Sequence, residues 1–458
     1  MRKGFHMLSL LSVALLIGLP ASLYAETCTE GNCVDGKGVL TYADGGSYEG
    51  NFKGGKFDGH GTRKYEDGRI YEGEFRDGKF DGEGTLTYSD GGRYVGKFKS
   101  GKREGYGVVR AANGARYEGE WKNNHFEGHG EQILPDGTRY VGDFKNGNKE
   151  GLGKKTFPDG KVCSGEWKNN VLDGKATVTY ADGRRYEGGF KNDYYDGRGV
   201  ITYPNGAILT GEFTLGKQNG KGTFKHPNGE TYEGEYKNGI AEGYGTQTFS
   251  DGTRYTGEFK NGKFEGKGEW KHFSGNRYVG HFANGTFEGD GTFTLANGSV
   301  SKGRFKAGRL EGTGEVTYAD GSTYAGELRN GKREGKGTWD SRDGRKYAGE
   351  FRNDFFDGTG VLFIPHRGTY EGEFKNGKLD GRGTFSLVTG VKVIGQYRSG
   401  QLDGSCSLIL KDGTVIKGEF KQGVPDGKWT YTTLSGVKKE WEMKDGVPEE
   451  VEQALKGI

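Results

Sequence analysis

One spacing constrains this chain more than any other: a stride of 23 residues, kept without insertion or deletion through seventeen units. It is carried by Tyr48-Glu-Gly50-Asn-Phe52, Tyr71-Glu-Gly73-Glu-Phe75 and Tyr94-Val-Gly96-Lys-Phe98, and again by Tyr232, Gly234 and Tyr236 and by Tyr255, Gly257 and Phe259. The other anchors are Tyr117, Tyr140, Cys163, Tyr186, Leu209, Tyr278, Ser301, Tyr324, Tyr347, Tyr370, Val393 and Ile416. Self-similarity at a fixed period implies a stack of supersecondary units, because one unit cannot bury its apolar face alone. A tolerated linker would drift in length, and this stride does not.

Each column of the repeat has a physical reading. Gly follows every anchor by two residues, and an aromatic follows by four in sixteen units, Leu328 being the exception. Spacing at i, i+2 and i+4 puts all three on one face of a strand, while Glu72, Glu74 and Arg76 face the other way. Such alternation predicts a half-buried strand, with the glycine leaving room for neighbouring rings to close over it. Seven residues after the anchor stands Gly in thirteen units, and Asn124, Asn170, Asp193 or Asp354 in the rest. These residue types enter left-handed backbone, so this column predicts a turn. Nineteen and twenty residues after the anchor, thirteen units have Asp-Gly or Asn-Gly, as in Asp67-Gly68 and Asn113-Gly114. That pair predicts a type I′ hairpin turn. Two turns per unit leave two strands of about six residues each, hence one hairpin.

Eleven residues after the anchor Gly is present in all seventeen units, and an acidic residue precedes it in sixteen, Asn219 being the exception. A basic residue such as Lys53 or Arg76 follows the aromatic in fifteen. A ladder of carboxylates could bind cations or act in catalysis. Recurrence in nearly every unit favours architecture instead, since catalytic constellations are singular. Each carboxylate is then expected to accept backbone N–H bonds at a turn and to pair with a nearby Lys or Arg.

The pattern resembles the MORN (membrane occupation and recognition nexus) family, whose signature is Tyr-x-Gly-x-Phe, a turn, then Gly-x-Gly. Here Tyr71-Glu-Gly73-Glu-Phe75 through Gly82-Glu-Gly84 carry it, with sixteen counterparts, over residues 34 to about 446. The anchor departs at Cys163, Leu209, Ser301, Val393 and Ile416, and the second Gly of Gly-x-Gly at Ala176, Cys406 and Trp429. The resemblance implies a curved, groove-shaped sheet with aromatics packed along it, and leaves room for homodimers.

The expected fold is all-β: an elongated open antiparallel sheet, or solenoid, of stacked hairpins with a short C-terminal capping helix. At about 4.8 Å per strand, seventeen hairpins would extend roughly 160 Å before twist shortens them. A transmembrane barrel is disfavoured, because its strands need about 9–11 residues and an apolar outer face. Ninety glycines and low apolar content argue against the roughly three globular cores that length alone would suggest. The 26 Tyr and 27 Phe are too many for a disordered chain, and the glycines lack the triplet period of collagen.

The organisation expected is a leader over 1–25, an N-terminal cap with a partial repeat over 26–47, seventeen repeats over 48–438, and a degenerate repeat with a cap helix over 439–458. Arg2 and Lys3, the apolar run Met7 to Leu19, and Ala25 form a secretory signal peptide, too short an apolar run to span a bilayer comfortably. An uncleaved anchor is the alternative. Thr27 before Cys28 does not fit a lipoprotein site. Without Arg2 and Lys3 the 66 basic residues become 64 against 63 acidic, a formal net charge of +1. That balance offers no footprint for nucleic acid and no strong attraction to an anionic membrane.

Asp35-Gly36-Lys37-Gly38 fits the second half of a unit, and Cys28 and Cys33 before it predict a short-loop disulfide in an oxidising compartment, with a catalytic or metal role as the alternative. Cys163 and Cys406 occupy packing columns and read as buried small hydrophobes. Pro448-Glu449-Glu450, followed by Val451, Ala454 and Leu455, predicts a helix over the last strand. His60 and His129 share one column, and His226 and His272 another. His125 and His129 are close enough in sequence to hold a metal, though exposed turn histidines explain them more simply. Gly-Lys-Gly runs lack the strand–loop–helix context of a phosphate-binding loop.

No catalytic, cofactor-binding or metal residue is therefore expected. The function predicted is a non-catalytic, exported (secreted or periplasmic) scaffold that binds a protein or cell-envelope component. Rows of exposed Tyr and Phe would serve as aromatic anchors and open strand ends would allow self-association. Membrane-phospholipid binding, which the family name suggests, is the second reading, and a glycan platform of repeated aromatics is the third.

Overall fold

The computed structural model of the protein describes residues 26–442. The expected leader and the expected helix after Pro448 lie outside the described residues. The chain divides into two compact units: one runs to Pro204 and takes in Phe213–Gly216, the other comprises Asn205–Glu212 and the chain from Lys217 on. Regular structure among the described residues is entirely β, in 37 strands.

In the first unit β1 (Glu26–Gly31), β2 (Gly36–Tyr42), β3 (Ser47–Lys53), β4 (Lys56–Lys64), β5 (Ile70–Arg76) and β6 (Lys79–Thr87) each pair antiparallel with the next in sequence. The pattern continues to Tyr194–Thr202. In the second unit it runs from Lys217–Lys225 to Lys438–Glu442. The common hairpin joins a strand of 7 residues to one of 9, both longer than the repeat had suggested, and Phe355–Ile364 and Lys378–Leu387 reach 10. β5 alternates strictly: Tyr71, Gly73 and Phe75 are buried while Ile70, Glu72, Glu74 and Arg76 are exposed.

The seventh column is a turn with positive φ, as expected, but the type I′ geometry expected at Asx-Gly is found here instead. The tight turn is Asp77-Gly78, both at positive φ (50° and 78°), and it sets Arg76 opposite Lys79. This is the two-residue type I′ geometry. Asp90-Gly91, by contrast, lies in a three-residue loop, where Gly91 N–H donates to Tyr88 O at 3.0 Å and Tyr88 N–H donates to Gly92 O at 2.8 Å. Only Gly91 of that pair has positive φ, giving a type I turn closed by a glycine bulge. The reason is chemical: Asp90 Oδ1 accepts the Gly92 N–H at 2.8 Å, an Asx-turn that keeps the aspartate right-handed and leaves the left-handed position to glycine.

A bulge separates the two halves of the hairpin. Gly73 faces Gly84 and Phe75 faces Phe80, so Asp81, Gly82 and Glu83 stand opposite Glu74 alone. The bulge turns Asp81 toward the next hairpin, where its Oδ2 accepts the Ser100 N–H at 3.0 Å. Glu104 with Asn123, Glu127 with Asn146 and Glu265 with Asn284 repeat the link. Ion pairs such as Arg76–Asp81 at 3.4 Å and Lys191–Asp173 at 3.1 Å accompany it. The carboxylate ladder is thus a set of ties between successive tips.

The core is a chain of rings. Tyr71 stacks on Phe80 with centroids 3.7 Å apart, and takes Phe75 of its own strand and Phe98 of the next repeat edge-on at 5.0 and 5.2 Å. Such pairs stabilise by about 0.5–1.5 kcal/mol each beyond area burial. The Phe80 column, nine residues after the anchor, was not singled out in the sequence because its residue type changes. Where it is basic, the cation takes the ring's place: Arg103 lies 4.2 Å over Trp121, and Lys149 5.2 Å over Tyr140.

The ring that closes over the glycine is the tyrosine of its own hairpin, not a neighbour's ring, and it covers two glycines at once. A Cβ on Gly84 would stand 2.3 Å from Tyr71 Oη, and one on Gly73 2.5 Å from Gly84 Cα. The hydroxyl donates to Glu74 O at 2.9 Å. The second glycine gives way only where the tyrosine is gone: Cys163 goes with Ala176, Val393 with Cys406 and Ile416 with Trp429, the second residue of each lying two places before the anchor's partner, which is Val178, Leu408 or Tyr431. Cys163 and Cys406 are buried free thiols, the latter pushed up to about 12 by burial.

At the N-terminal end β1 is a strand that the repeat pattern did not announce, and a disulfide joins its Cys28 to Cys33 in the segment that follows it. At the other end Trp429 fills the space above Gly418 and stacks on Trp441 of the last described strand at 6.4 Å.

Candidate functional site

The repeat's invariant residues fold into the core, which decides where a ligand can be met. Tyr48, Phe52, Tyr71, Phe75, Tyr94, Phe98, Tyr232, Tyr255 and Phe259 are all buried, and Tyr236 is half-buried. Among the described residues the repeat's Tyr and Phe form no exposed rows, because they are enclosed by the side chain nine residues on, a ring at Phe80 and a cation at Arg103, and by the next repeat's aromatic. The glycan platform built on those rows loses its basis for the same reason. Gly50, Gly73, Gly96, Gly234 and Gly257 serve the close approach of the tyrosine ring or of the paired strand.

The opposite face is open, and it is built from the residues one, twelve and fourteen places after each anchor. Those columns vary. The twelfth position holds His60, Glu83, Tyr106, His129, Leu152 and Lys175 in the first six repeats. Tyr106 is 56% and Tyr244 60% exposed, and Leu152 is exposed too. Shallow grooves run across this face. In the second unit one of about 680 Å³ is lined by Ala325, Lys336, Thr338, Ala348, Glu350 and Val361. Another of about 380 Å³ is lined by Tyr244, Lys267, Glu269, Val279, His281 and Asp290. In the first unit Ser164, Lys175, Thr177, Glu187 and Arg198 line one of about 600 Å³. These residues escape a reading by repeat columns, and the available signal was the reverse one: positions where a polar column turns apolar or small.

Electrostatics divide along the same lines. Burial pushes the core phenols up, to about 12 at Tyr48, Tyr186 and Tyr370, so they are neutral hydrogen-bond donors. Burial, with Lys155 adding to it, brings Lys149 down to about 8. Backbone N–H bonds hold the exposed turn carboxylates of Asp67, Asp136 and Asp251 below their ordinary value. His129 Nδ1 meets Asp143 Oδ1 at 3.1 Å, and His281 Nδ1 meets Asp290 O at 3.3 Å. His125 and His129 do not converge with a third ligand: among the described residues no three His, Cys, Asp or Glu side chains gather where a metal ion could be held.

Among solved structures the chain is similar, at low TM-score, to the SAS-4 (dCPAP) TCP domain of Drosophila melanogaster in complex with a proline-rich motif of Ana2. That match has 16% identity over 34% of this chain and 85% of that one, with a TM-score of 0.22. It is also similar to the TCP10 domain of Danio rerio CPAP with a STIL peptide, at 18% identity over 49% and 90%, TM-score 0.20. A third is virginiamycin B lyase from Staphylococcus aureus, at 11% identity over 60% and 96%, TM-score 0.13. No curated protein sequence matches. The family profile described as MORN repeat matches eighteen successive segments, from residues 35–47 and 48–68 through 394–415 to 417–432. That repeat is generally associated with scaffolds for membrane-lipid or protein interaction. With the same hairpin recurring in register through both units, the chain belongs to the MORN repeat family.

Proposed function

We propose that this protein is a non-catalytic, exported binding scaffold whose open face meets a protein or cell-envelope component. One observation carries the reading: between repeats, identity is held on the buried face and varied on the exposed one. Tyr, Gly and Phe recur inside, whereas the twelfth column passes through His, Glu, Tyr, Leu and Lys. A face that only needed to be soluble would keep the cross-strand pairs that best support the sheet. Exposed apolar residues set among charges suit a partner's core-and-rim interface.

The 680 Å³ groove is the favoured contact, since small residues, Ala325 and Ala348, flank Thr338 and open it beside the facing pair Lys336 and Glu350. A partner side chain of modest size fits there, oriented by the flanking charges. Export rests on the leader read in residues 1–25, and the compartment on Cys28 and Cys33 being oxidised. The test is capture of a protein partner from the cell envelope on the immobilised chain, repeated with Ala348→Arg and Val361→Glu. Both substitutions lie on the open face and leave the ring core untouched. A partner retained by the native chain and lost from both variants supports the reading; equal retention by all three would defeat this groove as the contact.

A further inference from the structure

We propose that the row of hairpin tips from Lys53 to Lys102 is a docking rail for a linear anionic polysaccharide. Six successive strands end at these tips, and each ends on a cation: Lys53, Lys56, Arg76, Lys79, Lys99 and Lys102. The register sets them directly opposite one another, Lys53 against Lys56, Arg76 against Lys79 and Lys99 against Lys102. Like charges directly opposed across a hairpin weaken it. Other tips oppose two cations as well, as at Lys260 against Lys263 and Lys375 against Lys378, but among the described residues three successive tips do so only here.

The acids near these tips do not cancel the row outward. Asp81 is only 16% exposed beneath Arg76, itself 73% exposed, and its carboxylate is already engaged by the Ser100 N–H. Asp35 is engaged likewise by the Gly54 N–H at 2.9 Å. Asp77, which meets Lys56 Nζ at 3.3 Å, is the acid that shares the tips' outer surface. The row is also held in place. Gly78 N–H donates to Phe57 O at 2.9 Å and Gly101 N–H to Phe80 O at 2.8 Å, stacking each tip on the one before.

Strands about 4.8 Å apart place one cation at roughly each such step, close to the advance of one sugar ring along an extended chain. The matching ligand carries one carboxylate or sulfate per ring. A broad anionic surface fits less well, because Glu49, Glu72, Glu74 and Glu83 flank the row on the strands and would repel whatever extends beyond a single file. The rail and the groove share no residue, so either can fail without the other.

The test uses the full chain, with alginate, a linear polyuronate, as probe. Neutral dextran and vesicles of anionic phospholipid serve as comparisons. The triple variant Lys56→Gln, Lys79→Gln, Lys102→Gln removes half the row, and Lys302→Gln, Lys417→Gln, Lys428→Gln removes equal charge at exposed positions outside both the row and the grooves. Alginate binding that weakens with salt, falls about tenfold or more in the first variant, and stays within about twofold in the second supports the rail. Absence of alginate binding at low salt, equal loss in both variants, or tighter binding to the vesicles through the same three lysines would overturn it. Should the first variant unfold, the same reading is taken from competition: dextran sulfate displacing alginate from the native chain supports the rail, and failure to displace it counts against it.

Discussion

A methyl group at Gly84 would meet the Tyr71 hydroxyl oxygen at 2.3 Å, and the same ring carbon framework at 2.6 Å. The ring cannot lift away, because Phe80 stacks on its other side at 3.7 Å. Tyrosine and glycine at these columns are therefore one packing unit, and their energies should couple. Gly84→Ala is expected to cost about 1–3 kcal/mol by overpacking, and Tyr71→Val about 3–5 kcal/mol by leaving a cavity. The double variant should be less destabilised than the sum by at least about 1 kcal/mol, since Val393 with Cys406 is a native instance of the same pair. Urea unfolding of the four proteins measures the coupling, and simple additivity would remove the ring-on-glycine account. The asymmetry within the chain agrees. Leu209 and Ser301 keep the glycines Gly222 and Gly314, but no unit keeps the tyrosine with a larger residue thirteen places on.

Hairpin geometry belongs to the next scale. The residue six places after the anchor lies at positive φ in every tip, usually Asn, and in one case Leu215 at 49°. Leucine bears the left-handed penalty that asparagine relieves with its side chain, and here it is also 72% exposed. Leu215→Asn should therefore stabilise the protein by about 0.5–1 kcal/mol, a conformational gain of the kind seen when left-handed sites receive suitable residues. A rise in the melting midpoint checks this, and a fall would mean that Leu215 makes a contact the hairpin needs. The turns also show what could be read in advance. The seventh column was legible because only Gly, Asn and Asp occupy it. The sixth was not, since Ser100, Ala307, Leu215 and Gln422 occupy it as well, and a mixed column hides a shared dihedral. Asx-Gly was legible as a turn but not as its type, because Asx-turn capping and the I′ geometry favour the same two letters. The strand alternation and the buried Tyr–Gly–Phe face came directly from period two. The open-face grooves did not, because they depend on which columns vary, and variation carries no period.

At the scale of the whole molecule the tyrosines act together. Eleven of them are almost fully enclosed, from Tyr48 to Tyr370, and burial raises their phenols, to about 12 at Tyr48 and Tyr278. In the unfolded chain the same groups ionise near 10. A folded value above the unfolded one means that the contribution is complete below pH 10 and is lost as pH rises through the folded value. Stability should thus fall steeply between about pH 10 and 12, and the phenolate absorbance of the enclosed set should appear together with the loss of β-sheet circular dichroism. Phenolate formation complete near pH 10 with the sheet intact would contradict the enclosure of the rings. Arg103 and Lys149, which replace a ring in the stack, mark repeats where the row is completed by a cation instead.

The ties between hairpins reach one stride and no further: Asp81 to Ser100, Gly101 to Phe80. Removing one whole unit would bring the carboxylate of one repeat to the same backbone donor two repeats on, and the seam would close with unchanged partners. Such a chain can change its length only in integers, and its reach becomes a heritable quantity set by counting rather than by redesign.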